Sequence, residues 1–157
     1  MYEVVFKDMG FRHPFSDFQR EVLRWTKLSP SWIHPYSYAF MRTFEFVCEF
    51  LKILAFKKVF LSVFTVQRGN NWVFFHQTKK MFEIFAGKVR SFKERFLFVR
   101  PNSEAALNSL LDEVHRPFFP LYWKKDHFSF DPKVFSRAAS SLKEEEADAY
   151  QKIWVFV

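Results

Sequence analysis

The chain has 157 residues; 49% are apolar and 24 are Phe, but only 3 are Gly. This length predicts one domain, and the aromatic content excludes a disordered tail because so much apolar surface favours collapse. The formal charge is +7: residues 1–100 hold 17 Lys and Arg against 8 acids, and residues 101–157 hold 7 against 9. The basic front part favours an anionic partner such as nucleic acid, although a solvated basic surface explains it equally well.

The single cysteine, Cys48, excludes a disulfide framework within the chain and a thiolate zinc site. It lies in an apolar helical run, which predicts a buried, inert thiol. A single cysteine fits a reducing compartment, so we expect an intracellular location, nuclear or cytoplasmic. The strongest apolar run, residues 59–66, is far shorter than the roughly 20 residues of a spanning helix. We therefore expect no membrane partner.

Two helices are predicted near the N-terminus. Ser16 and Gln19 have the spacing of a capping box, and Ser29-Pro30 ends the helix that they begin. Pro35 is well placed as the first residue of the second helix. One face of that helix carries an apolar stripe, formed by Phe40, Phe44, Val47, Cys48 and Leu51.

The pattern then changes to short runs of β-branched and aromatic residues. Residues 59–66 and 72–75, on either side of a turn at Gly69-Asn70-Asn71, predict a β-hairpin. Residues 82–85 and 95–99 predict two further strands. The expected fold class is therefore α+β, with N-terminal helices and a small antiparallel sheet over about residues 59–100.

C-terminal helices and an aromatic loop complete the expected fold. Residues 103–114 predict a helix, and residues 117–123 an extended aromatic segment. Ser141 and Glu144 have capping-box spacing and open a last helix. The expected domains are residues 11–123 and a helical extension over 124–157, which the apolar ending at 153–157 marks as truncated.

Patterns of known catalytic sites are missing from the sequence. The three glycines are scattered, so no phosphate-binding loop forms, and neither HExxH nor Gly-x-Ser-x-Gly occurs. We expect no catalytic residue, no cofactor, no metal site, no small-molecule substrate and no enzyme activity. The alternative, a fragment of a transposition enzyme with a metal-dependent carboxylate site, requires folding to bring Asp112, Asp126 and Asp131 together.

A basic stretch over residues 79–100 is the candidate nucleic-acid site. Phe residues are interleaved with the cations, so basic groups could neutralise phosphates while an aromatic ring stacks on a base. The competing explanation is a half-buried sheet with Phe inward and cations outward. The candidate residues are Lys79, Lys80, Lys88, Arg90, Lys93, Arg95 and Arg100.

An ordered set of short motifs runs through the first two thirds of the chain. In this order they resemble the putative gypsy-type transposon domain of plant genomes, over about residues 11–101. The family more usually has Trp where this chain has Tyr38 and Phe92, which keeps the aromatic character. The motifs are Pro14-Phe15, Glu21-Val22-Leu23, Leu28-Ser29-Pro30-Ser31-Trp32-Ile33-His34-Pro35, Tyr38-Ala39-Phe40, Phe44-Glu45, Cys48-Glu49, Phe60 and Phe64, Gln67-Arg68-Gly69, Trp72-Val73-Phe74-Phe75 and Phe92-Lys93-Glu94-Arg95-Phe96-Leu97-Phe98-Val99.

The resemblance implies a reading frame derived from a long-terminal-repeat retroelement, near the structural-protein end of such elements. The family has no established activity, so no catalytic residue is carried over. We expect a non-enzymatic module that binds nucleic acid or assembles with copies of itself or host proteins. Assembly predicts an apolar patch around Phe46, Phe50 and residues 154–157, and a decayed, functionless reading frame remains a further alternative.

Overall fold

The computed structural model describes residues 1–69, 72–82, 92–122 and 131–157. Within these ranges the chain forms helices and a two-stranded antiparallel sheet, which confirms the expected α+β class. The elements are α1 (Glu3–Lys7), α2 (Asp17–Thr26), α3 (Pro35–Phe50), α4 (Lys57–Val63), β1 (Phe64–Arg68), β2 (Val73–Gln77), α5 (Glu104–Asn108) and α6 (Glu144–Phe156). None of the helices in these ranges is long and apolar enough to cross a membrane.

The predicted starts of the two N-terminal helices are confirmed. Ser16 caps α2: its hydroxyl accepts from the Gln19 N–H at 3.2 Å, and its own N–H donates to the Gln19 side chain at 3.2 Å. Pro35 is the first residue of α3, after the N-cap His34. Glu45 of α3 accepts from the side chains of Ser16 and Gln19, so the cap of α2 is joined to α3.

Phe60 of α4 lies at the centre of an aromatic core. Its ring centroid is 4.5 Å from that of Phe64, 5.1 Å from Phe75, 5.3 Å from Phe44 and 5.4 Å from Phe18. Aromatic pairs at such distances stabilise a core by about 0.5–1.5 kcal/mol each beyond their buried area. Much of the Phe content is therefore explained by packing between α2, α3, α4 and the hairpin.

The predicted hairpin exists, but it is shorter than expected. Phe64 pairs with Gln77 and Arg68 with Val73, and the N–H of Gly69 donates to the carbonyl of Trp72 at 2.8 Å. Residues 59–63, predicted as strand, are helical and belong to α4. Four of these five side chains are buried. In a short run of nearly continuous apolar residues, the hydrophobic pattern does not distinguish a helix from a strand.

The structure shows neither of the two further predicted strands within the residues that it describes. Residues 83–85 lie outside the described residues. Residues 95–99 make a single antiparallel bridge, between Phe96 and Tyr2, and add no strand to the hairpin. Residues 95–99 therefore pair with the N-terminal segment, where we expected them to pair within the sheet.

The C-terminal helices also differ from the prediction. A helix begins after Ser103 as expected, but α5 ends at Asn108, and Asp112 lies in a local turn, where it accepts from the N–H groups of Val114 and Arg116. Ser141 ends the short 3-10 turn Ala139–Ser141 and does not cap α6. The N–H of Lys143 donates to the Glu146 carboxylate at 2.8 Å there.

Candidate binding surfaces

An apolar groove of about 690 Å³ is lined by residues 29–32 and by residues 96–99, among others. Buried rings line its base, and those of Phe15 and Phe119 are 5.6 Å apart. Exposed apolar side chains line its rim, among them Phe96, Phe98 and Leu121. Ligand-binding clefts commonly have about this volume and this apolar character.

One wall of the groove is the short segment 29–32. It contains the 3-10 turn Pro30–Trp32, in which the Trp32 N–H donates to the Ser29 carbonyl at 2.9 Å. The buried hydroxyl of Tyr38 in α3 donates to the Pro30 carbonyl at 2.6 Å. This bond fixes the wall to the core, so the groove has a preformed side.

A second wall is residues 96–99, which the N-terminal segment holds in place. Arg95 accepts through its carbonyl from the Glu3 N–H at 3.0 Å. The Leu97 N–H donates to the Met1 carbonyl at 2.7 Å. The two segments thus form a short antiparallel ladder that exposes four consecutive apolar side chains beside the groove.

Few polar groups line the groove. Among its described lining residues, Lys93 is the one residue that is a lysine or an arginine. Its Nζ atom lies 4.1 Å from the Trp72 ring centroid, where the ring face attracts a cation. The His34 ring centroid is 5.5 Å from that of Trp72, and burial, with the nearby Lys93 charge, lowers the pKa of His34 to about 4. Burial also lowers the pKa of His13 in the groove wall. Both effects favour the neutral form of these imidazoles.

The candidate nucleic-acid residues that are described do not form one cluster. Lys79 lies 5.0 Å from the Trp154 ring, beside α6, whereas Lys93 lies over Trp72. Arg95 faces Glu3, with 3.9 Å between Nη1 and Oε2. Lys80 and Arg100 are exposed, like the other three, and Lys88 and Arg90 lie outside the described residues.

A second apolar surface joins the ends of α3 and α6. Phe50 is 70% exposed, and its ring centroid is 5.1 Å from that of Phe156. Val155 and Val157 are exposed beside Phe156. These residues, Phe50, Val155, Phe156 and Val157, are called the C-terminal patch below. Phe46, expected in the same patch, is covered on one face by Arg42, whose guanidinium carbon lies 4.1 Å from its ring centroid.

Two of the three acids considered for a metal site have local structural roles. Asp112 accepts two backbone hydrogen bonds, and these bonds lower the pKa of its carboxyl, with the Arg116 and Arg24 charges adding to the effect. Asp131 accepts from the Lys133 N–H at 3.0 Å and so caps a 3-10 turn. Asp126 lies outside the described residues. Within the described ranges no three His, Cys, Asp or Glu side chains group as metal ligands do.

Cys48 is buried as predicted, and burial raises the pKa of its thiol to about 12, with a further contribution from Glu45. The thiol is therefore neutral at physiological pH. A neutral, inaccessible thiol is a poor nucleophile.

The groove itself was not predicted from the sequence. Tyr2, His13 and Leu121 line it, but their positions in the chain carry no shared pattern. One signal was available: residues 96–99 are four consecutive apolar residues between two arginines, without the alternation of a half-buried strand.

These features define a small α+β domain with a preformed apolar groove and exposed aromatic surfaces. Residues 2–68 match a family model described as putative gypsy type transposon. The match confirms the resemblance over this part of the chain, and it does not test the expected plant origin. No curated protein and no solved structure matches the chain.

The matched region covers a different range from the resemblance. It begins at Tyr2, before the expected start at residue 11, and ends at Arg68, the last residue of β1, before the expected end at residue 101. One wall of the groove, residues 29–32, lies inside the match. The other wall, residues 96–99, lies outside it, so the groove is built from both parts of the chain.

Proposed function

We propose that the chain is a non-enzymatic protein-binding module of a gypsy-type retroelement and that the groove is its binding surface. The observation that supports this most directly is the composition of the groove. Its base is buried and apolar, its rim exposes Phe96 and Phe98, and its described lining contains no carboxylate. Apolar side chains of a partner would gain most from such a surface.

The size of the groove also favours a short segment of a protein. A volume of about 690 Å³ holds a few apolar side chains, and one wall is open to solvent at residues 96–99. The wall at residues 29–32 is already fixed by the bond from Tyr38 to Pro30, so less ordering accompanies binding.

A library of random peptides displayed on phage, selected against the folded chain, tests this proposal. We expect enrichment of apolar peptides whose binding weakens at least about tenfold in Phe98→Ser, because the groove loses an anchoring ring. Phe50→Ser is the matched control, since it removes an exposed Phe from the C-terminal patch. Binding that depends on Phe50 and not on Phe98 would contradict the groove as the site.

Nucleic-acid binding is the second candidate function. It is favoured by the exposure of Lys79, Lys80, Lys93, Arg95 and Arg100, and by the position of Lys93 over the Trp72 ring. Proteins that bind single-stranded nucleic acids combine cations, which contact phosphates, with aromatic rings, on which bases stack.

Fluorescence anisotropy with labelled single-stranded and duplex nucleic acid across a salt series tests this second function. If phosphate contacts contribute, affinity falls steeply with the logarithm of salt concentration, and the slope decreases by about one for each cation removed. Lys93→Gln and Arg100→Gln are the variants, with Lys143→Gln as a control of equal charge change. Flat anisotropy at low salt would remove the nucleic-acid function and leave protein binding.

A further inference from the structure

Residues 96–99 form an edge with free backbone positions, and they are called the open edge below. Arg95 and Leu97 make the hydrogen bonds to the N-terminal segment. Successive peptide groups of a strand point to opposite sides, so the N–H and C=O of Phe96 face away from that segment. In the described part of the chain, neither Phe96 nor Phe98 makes a backbone hydrogen bond.

The side chains of the open edge are exposed. Phe98 is 86% exposed and Phe96 58%, and all four residues of the open edge line the groove. A strand with unpaired backbone groups and exposed apolar side chains is a template for another strand, which gains main-chain hydrogen bonds and side-chain burial together.

Charge decides which strand fits. Arg95 and Arg100 flank the open edge, and Lys93 lines the groove beside it. Glu3 faces Arg95 at 3.9 Å and offsets part of its charge, and Glu94 precedes Arg95 in the chain. Arg100 makes no ion pair within the described residues. The edge is therefore cationic mainly at the Arg100 end.

We propose that the open edge accepts an extended segment of a partner protein as an added β-strand, and that this segment carries apolar residues followed by an acidic residue that meets Arg100. The inference rests on the proposed protein-binding function and specifies how the groove is used. A second copy of the open edge fits less well, because it would bring another Arg95 and Arg100 to the same edge, and like charges across paired strands destabilise.

The probes are fluorescein-labelled synthetic peptides with one apolar core and two kinds of ends. The first has the sequence Glu-Val-Thr-Val-Thr-Val-Glu, and the second replaces both Glu by Lys. Acids at both ends allow either strand direction. We expect the acidic peptide to bind at least about tenfold more tightly, because it gains charge pairs with Arg100 and Lys93 where the basic one is repelled.

Backbone methylation separates strand addition from burial of side chains alone. Two versions of the acidic peptide carry N-methyl groups on alternate residues, each blocking the N–H groups on one side of the strand. Strand addition predicts that one version loses about tenfold or more in affinity, as expected for two or more lost hydrogen bonds, and that the other is little changed. Equal affinity for both versions would overturn the proposal.

Variants of the chain provide the reciprocal test. Arg100→Glu should reverse the preference in favour of the Lys-ended peptide, whereas Arg12→Glu, an exposed arginine outside the edge, should not. Slower amide hydrogen exchange at Phe96 and Phe98 in the complex, measured by NMR, reports the new backbone bonds. Only variants whose melting temperature equals that of wild type are compared. If Arg100→Glu still prefers the Glu-ended peptide, the result counts against the acidic partner.

The outcomes separate this inference from the proposed function. If displayed peptides bind in a Phe98-dependent way but methylation has no effect, the groove binds protein and strand addition is wrong. If no peptide binds and the library yields nothing, the protein-binding function itself fails. If the chain dimerises and Phe98→Ser abolishes the dimer, a second copy is the occupant and the acidic partner is wrong.

Discussion

The hydroxyl of Ser37 accepts a hydrogen bond from the backbone N–H of Phe75, with 2.8 Å between the two atoms. Both residues are buried, and the bond joins the first turn of α3 to β2. It lies next to a second link, in which the His34 N–H donates to the Val73 carbonyl at 2.9 Å. The hairpin is therefore attached to the start of α3 by polar bonds as well as by aromatic packing.

Ser37→Ala should destabilise the chain by about 1–3 kcal/mol, because the buried N–H of Phe75 loses its acceptor. The measurement is the free energy of unfolding from urea denaturation. Ser141→Ala is the control, since Ser141 is exposed and the change should stay within about 0.5 kcal/mol. Equal stability of wild type and Ser37→Ala would show that this bond does not hold the hairpin to α3.

Stability should fall as the pH is lowered from about 6.5 to about 4, in part through His34. The pKa of His34 is about 4 in the folded chain, below the model-peptide value of 6.5, so the unfolded state binds more protons between these two values. Stability therefore rises with pH across this window, and the contribution is complete above 6.5.

The variant His34→Asn removes this titration and keeps an N-cap side chain that can accept from Tyr36. Urea midpoints at pH 7 and pH 5 should differ less in the variant than in wild type. The comparison is between the two proteins because His13 and several carboxylates also titrate as the pH falls. Parallel curves would mean that His34 does not contribute.

Cys48 should not react with a thiol reagent until the chain unfolds. It is 1% exposed, and the pKa of its thiol is about 12. At pH 8 the rate of modification by 5,5′-dithiobis(2-nitrobenzoic acid) should be at least about a hundredfold slower in buffer than in 6 M guanidinium chloride, because native-state reaction requires opening. Rapid labelling in buffer would contradict the burial of this residue.

Self-association should depend on the C-terminal patch. Phe50 and Phe156 present a joined aromatic surface, and groups of both signs lie near it, since Glu49 is exposed and Lys152 pairs with Asp148 at 2.7 Å. In a two-fold dimer the same patch of each copy forms the interface, and a patch with charges of both signs can pair opposite charges across it. Sedimentation velocity should show concentration-dependent association in wild type that is weakened in Phe50→Ser and retained in Phe98→Ser. A monomer at high concentration would exclude this mode of assembly.

The sequence by itself determined the features that depend on neighbouring residues. The capping box of Ser16 and Gln19, the start of α3 at Pro35 and the turn at Gly69 are local, because each needs only a few adjacent residues to satisfy its backbone groups. The burial of Cys48 and the family resemblance could also be read directly.

Only the tertiary structure decided the features that depend on which distant segments meet. Residues 59–63 are helical, with four of their five side chains buried against other elements, and Phe96 of the open edge pairs with Tyr2, which is distant in sequence. The groove likewise requires residues 29–32 and 96–99 to line the same space. Such contacts depend on burial and on the availability of a pairing partner, which neither hydrophobic period nor local propensity encodes.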